Sequence, residues 1–343
     1  MMLDFFLKVY IKKCINLIRP IKVAKADKGI SYANWERYEK LNDEWFNRFL
    51  IKSFPTVDNF NIRFYSVFGD RKNIKEDTDC KKVFYSGENL EVVRTHPGLI
   101  LDQGRKTYGT YYFFNKILPP FMDHALYDVN LSLGFSGLKN DRYLRFPIWF
   151  LYLFPPDSTY KDIKKIITFI NNKQSSCLKE AVCINRHDIF GMRSKICDDL
   201  NGVLNISYGG TWRNNTSELW DKYGNNKLKY MDLFKFNICP ENMDAPNYCT
   251  EKIFESFKAG CIPVYAGALN DPEPGIINRD AVIFWNLDGD NTENIKLIKK
   301  LNSDEKFYDK FMKQPKLMPY AAEYVHNRFM KLQDKIRLLL QNH

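Results

Sequence analysis

Alternating strand-like and helix-like stretches in a chain of 343 residues predict an α/β protein of two domains. Three observations carry this. The length exceeds what one small core serves. From residue 180 onward short apolar runs alternate with amphipathic ones, the pattern of a parallel sheet. The first half supplies its own strand-like runs, and the composition changes around Pro155–Pro156.

The elements follow in order. "FNIRFYSVF" (60–68), "KKVFYSG" (81–87) and "LYDVNLSLGF" (126–135) read as strands of a first domain, 1–160. "IKKIITFINNK" (163–173) has helical spacing and opens the second domain, 161–320. There "EAVCIN" (180–185) reads as a strand and 189–200 as a helix stopped by Asn201–Gly202. The strands 203–207 and 233–239 follow, then a helix from Glu251, then strands 261–267 and 281–285. Helices near 292–301 and 304–313 precede a basic helix over 321–343, placed to cross back to the first domain. Two such domains would bind ligands beyond the carboxyl ends of their strands.

Composition bounds the function. The chain is 45% hydrophobic, as a globular protein is, and carries a net charge of +10. That excess suits phosphorylated ligands, nucleic acid or an anionic membrane. The eight cysteines form no CxxC pair, and several lie in apolar runs, so reduced thiols and a cytoplasmic location are expected. Residues 1–25 are hydrophobic and basic, but lysines interrupt them. As a helix they fit either peripheral attachment to an anionic membrane or docking on the protein's own body. The interleaved aromatic and basic residues of 104–117 would suit a nucleic-acid binder, but no nucleic-acid fold signature is present. No GxGxxG or Walker-type loop occurs, and the five histidines lack zinc-ligand spacing. "DTD" (77–79) and "DGD" (288–290) read as solvated turns.

The most informative stretch is "TEKIFESFKAGCIPVYAG" (250–267). Ile253, Phe254 and Phe257 define a buried helix face, and Gly260 suits a left-handed cap. Glu251 and Lys252 then sit in the first turn, beside free backbone N–H groups. Read locally, this is either an anion site or a helix-favouring acid beside an exposed lysine.

The whole run 234–267 resembles the donor-binding motif of the α1,3/α1,4-fucosyltransferases, inverting enzymes that use GDP-fucose. Phe236, Glu241–Asn242, Tyr248, Thr250–Glu251–Lys252, Ala259–Gly260 and Pro263–Val264 occupy its positions. "FYSGEN" (84–89), "GFSGLKNDRYLRFPIW" (134–149) and "NRHDIFGMRSKICDDLN" (185–201) resemble further family segments in the same order. The chain departs from the family at Cys239–Pro240 and in its longer stretch between Glu88 and Asp128.

The resemblance implies a GT-B architecture, two Rossmann-like domains facing a central cleft. It implies GDP-fucose as donor, a glycan acceptor containing GlcNAc such as N-acetyllactosamine, and transfer to its 3- or 4-hydroxyl. Glu88 is the expected general base, and Glu251 stabilises an oxocarbenium-like transition state. Arg193, Glu241, Asn242, Tyr248 and Lys252 are expected to bind the donor. Asn89 is expected on the acceptor side. Arg145 belongs there too, or else pairs with Asp141 or Asp128. Fixed cations serve the leaving diphosphate, so no metal is obligatory. The competing readings are a related transferase using another nucleotide sugar, and a non-catalytic basic nucleic-acid or membrane binder.

Overall fold

Six short strands make the first sheet of the computed structural model, which describes residues 22–100 and 112–341. These are β1 (Ala24–Lys25), β2 (Ile30–Ala33), β3 (Ile62–Tyr65), β4 (Lys81–Tyr85), β5 (Leu131–Gly134) and β6 (Tyr143–Arg145). They lie side by side in sequence order. β1 pairs antiparallel with β2, and every later pair is parallel. Every residue of "ISYA" and "LSLG" is buried, as strands covered on both faces require.

This first unit gathers residues 22–91, 112–159 and 326–341 from among those described. Its helix α1 (Trp45–Ser53) buries Trp45, Phe46, Phe49 and Leu50 along one stripe. Trp45 stacks on Phe49 with centroids 5.2 Å apart, and its Nε1 donates to the Phe154 carbonyl at 2.9 Å. Two short helices, α2 (Lys72–Glu76) and α3 (Trp149–Leu153), complete the segment before residue 160.

The second unit takes residues 92–100 and 160–325. It therefore claims a short segment that a contiguous first domain of 1–160 would have kept. Its sheet contains β7 (Lys179–Cys183), β8 (Ile206–Tyr208), β9 (Phe234–Ile238), β10 (Ile262–Tyr265) and β11 (Ile283–Phe284). The spatial order is β11-β10-β9-β7-β8, all parallel. Helices α4 (Tyr160–Asn172), α5 (Met192–Asp199), α6 (Glu218–Asp221), α7 (Lys227–Met231), α8 (Lys252–Ala259), α9 (Thr292–Ser303) and α10 (Glu305–Met312) connect these strands or follow them. The last helix, α11 (Ala321–Gln341), begins in this unit, and its residues from 326 pack in the first. There Phe329 meets Trp45 edge-on at 5.3 Å and packs against Phe146 at 5.8 Å.

Several expected strands are shorter than their apolar runs. The 203–207 run enters the sheet only at Ile206, because the N–H groups of Val203 and Leu204 close a turn on Leu200 O. Residues 122–128 form turns that Arg71 holds through Asp123 and Asp128, which leaves Leu131–Gly134 as the strand. A turn at Arg279–Ala281, capped by the Asn278 side chain, shortens the last strand to two residues. The first acidic triplet is not a simple solvated turn, since Asp77 is buried against Arg63 and Tyr65 OH. The second is exposed as expected, with Asp288 also paired to Arg94 and His96.

Residues 1–21, with most of the proposed amphipathic helix, and residues 101–111 of the aromatic-basic stretch lie outside the described residues.

Candidate active site

In the second sheet the chain runs from β7 outward to β8 and then returns to the other side of β7 as β9. That reversal is a topological switch point, and ligands of open parallel sheets bind outside the carboxyl ends of the strands there. The first sheet, ordered strictly in sequence, has no such reversal.

Two short linkers build this edge. After β7, the Asp188 carboxylate accepts from Arg193 N at 3.0 Å and Ser194 N at 2.6 Å, which holds the first turn of α5. Arg193 is thereby set in the wall of the edge, only 2% exposed. Its guanidinium donates across the switch point to Asn242 Oδ1 at 2.7 Å and backward to the His187 carbonyl. Its Nε has no partner among the described residues.

After β9, Glu241 is fully buried and accepts from four groups. Thr250 N donates at 2.8 Å, Thr250 Oγ1 at 2.7 Å, Lys252 Nζ at 3.0 Å and Tyr265 OH at 3.2 Å. Both oxygens are engaged by the chain itself, and this positions the Thr250–Lys252 turn. Gly267 lets this happen: its φ is +138°, and an added Cβ would stand 2.7 Å from Glu241 Cγ.

Lys252, its side chain 18% exposed, also donates to Thr250 Oγ1 at 3.0 Å. Burial works against its charge, but Glu241 and Glu251 outweigh this and hold the ammonium above its usual range. Glu251 caps the start of α8 and is half-buried; no hydrogen bond to its carboxylate forms among the described residues. The acid and base that adjoin in sequence thus diverge, with the lysine turned to Glu241.

The His187 ring reports the resulting field. Burial, then Arg193, Lys252 and Arg186, push it down to about 3. Such concentrated positive charge, beside the free N–H groups of a helix start, suits a polyanion. Asn242, half-buried, completes the wall. Tyr248 is almost wholly buried, 1% exposed.

The first unit holds the remaining expected residues at the carboxyl edge of its own sheet. Glu88 follows β4 in a turn where Ser86 Oγ accepts from Glu88 N at 3.1 Å and donates to Glu88 O at 2.8 Å. Asn89 is buried, and its amide bonds the Glu91 backbone in both directions, at 2.9 and 3.0 Å. Its side chain thereby shapes the turn. Arg145 ends β6, and Asp128, one partner considered for it, is bound to Arg71.

Sequence reasoning missed His187 and Asp188. An aspartate just ahead of a helical run was the available sign for Asp188. Among the described residues no group of three His, Cys, Asp or Glu is arranged to hold a metal ion. No described helix is long and apolar enough to cross a membrane.

A crystal structure of an α1,3-fucosyltransferase with GDP-fucose matches 97% of this chain and 96% of its own, at 20% identity and a TM-score of 0.56. A second α1,3-fucosyltransferase structure matches with a TM-score of 0.60 over 93% of this chain and 94% of its own, also at 20% identity. Fold and site thus define a two-unit α/β protein of the GT-B type. The family models "Alpha-(1,3)-fucosyltransferase FucT N-terminal domain" and "Glycosyltransferase family 10 (fucosyltransferase) C-term" match residues 30–152 and 171–333. The chain belongs to glycosyltransferase family 10, the fucosyltransferases. It is 25% identical to the alpha-(1,3)-fucosyltransferase FucT of Helicobacter pylori over 91% of this chain and 66% of that protein. It is also 32% identical to alpha-(1,3)-fucosyltransferase B of Drosophila melanogaster over 31% of this chain and 25% of that protein. The chain spans just under two thirds of the length of the first of these relatives and a quarter of the second.

Proposed function

We propose that the protein transfers L-fucose from GDP-β-L-fucose, with inversion, to the 3- or 4-hydroxyl of GlcNAc in a glycan such as N-acetyllactosamine. The cationic switch point formed by Arg193 and Lys252 is the observation that carries this reading. In the proposed step the acceptor oxygen attacks the anomeric carbon while the bond from that carbon to phosphate breaks. GDP leaves with the electron pair, and Glu88 takes the acceptor's proton. Arg193, Lys252 and the start of α8 receive the departing diphosphate, so no divalent metal is obligatory. Asn242 orients Arg193, and Glu251 faces the charge that develops on the sugar. The seven described cysteines are free thiols, which supports a reducing, cytoplasmic location.

GDP-fucose transfer to a glycan panel, with linkage analysis of the product and EDTA present, tests the reading. Turnover with GDP-fucose and none with UDP-sugars is expected. Glu88→Gln should lower kcat by about 10²–10⁴-fold; unchanged turnover removes Glu88 as the base. Turnover of a different nucleotide sugar in place of GDP-fucose removes the donor assignment.

A further inference from the structure

Residues 92–100 leave the Glu88–Glu91 turn along the chain and pack with the second unit. The contacts are specific. His96 Nδ1 lies 2.9 Å from Asp288 Oδ1, and Nε2 lies 3.1 Å from Asp244 Oδ2. Arg94 donates from its backbone N to Asp244 O at 2.7 Å and from its guanidinium to Asp288 Oδ2 at 3.2 Å. The His96 and Asp244 side chains are 6% and 5% exposed. A carboxylate only accepts, so a neutral imidazole, with one N–H, can satisfy one of these aspartates and turns a lone pair on the other. Both contacts are complete only for the imidazolium.

What the segment touches gives it a role. Asp244 stands two residues after Asn242, and its Oδ1 accepts from Leu269 N at 2.6 Å. Leu269 is the middle of three consecutive non-glycine residues with φ of +51°, +55° and +54°, a turn that needs external support. That turn begins immediately after Gly267, which packs on Glu241. Asp288 lies in the turn after β11. At the other end Leu99 packs on the unit's core, and Ile100 lies so close to Gly191 that a Cβ there would stand 2.6 Å from Ile100 O. Gly191 precedes Arg193 by two residues. One nine-residue segment thus fastens the turns after β9, β10 and β11 and the approach to α5.

We propose that residues 92–100 are a strap that organises the donor site, with His96 as its positioning residue. This rests on the donor reading above. His96 touches no reacting atom; it fixes the turns from which Asn242, Arg193 and the Glu241-held lysine project. The charged groups facing it are Asp244 after β9, Asp288 after β11 and, on its own segment, Arg94 bound to Asp288.

The test uses full-length wild type, His96→Gln and Asp288→Asn. His96→Gln should raise the KM for GDP-fucose about tenfold, the equivalent of about 1.4 kcal/mol, with kcat changed by less than about twofold. Asp288→Asn, which leaves the Asp244 contact in place, should raise it by a smaller factor and serves if the histidine variant fails to fold. An unchanged KM, or a fall in kcat as large as the rise in KM, overturns the proposal. Hydrogen exchange at the Arg94 and Leu269 amides reads the clamp without any donor. Faster exchange in His96→Gln supports the strap, and equal exchange overturns it. A wild type inert towards GDP-fucose would instead sink the donor reading and leave exchange to decide the strap.

Discussion

The buried Nδ1 of His187 has no partner among the described residues, and the ring stays neutral in the field of Arg193 and Lys252. Its folded value of about 3 lies below the ordinary value of about 6.5. Between those two values the unfolded chain binds a proton that the folded chain refuses. Stability from this group is therefore complete above the unfolded value and is lost as pH falls through the window. Denaturant unfolding measured from pH 7 downward should show this loss, and His187→Gln should flatten it. Equal slopes in the two proteins would mean that the positive field at the switch point is weaker than the geometry implies. Residues of this kind were hard to read in the sequence. Arg193, Glu251 and Lys252 stand in contiguous, recognisable runs, whereas His96 meets partners 148 and 192 residues away. Glu241 was legible as a member of the motif, but its burial depends on Thr250 and Tyr265 folding over it.

At the scale of the element, α8 shows how a local signal becomes a site. Its buried face and its glycine stop were both evident from spacing. In the structure Gly260 has φ +86°, and an added Cβ would lie 2.3 Å from the backbone of Gln174 and Ser175. Gly260→Ala should therefore destabilise the protein by about 2 kcal/mol or more, since it meets both backbone strain and a main-chain clash. A thermal melt checks this; an unchanged midpoint would show that the 174–175 turn moves aside freely. The parallel strands from β7 onward were equally visible as apolar runs, although turn chemistry trimmed two of them. β2 and β6 escaped notice because strands of four and three residues offer too few positions for a period to register. α1 escaped because its aromatic stripe has meaning only with Phe146 and Phe329 packed on it.

For the molecule as a whole, Phe329 joins the end of the chain to the first unit's core. It is 5% exposed and meets Trp45, Phe49, Phe146 and Phe150. Phe329→Ala should cost about 3–5 kcal/mol. Hydrogen exchange should show the loss in β2–β5 with β7 and β9 still protected; uniform loss in both sheets would argue that the units unfold together. The exchange at residues 92–100 left no mark in the sequence, because the composition there does not change where the chain passes from one unit to the other.

That stitching has a consequence for biosynthesis. Every described piece of the second unit has been translated by residue 325, but the first unit still lacks Phe329 and the rest of its closing helix. On the ribosome the half encoded second is the one that can finish first. The half encoded first must wait, its aromatic core open, until residues 326–341 have also been made.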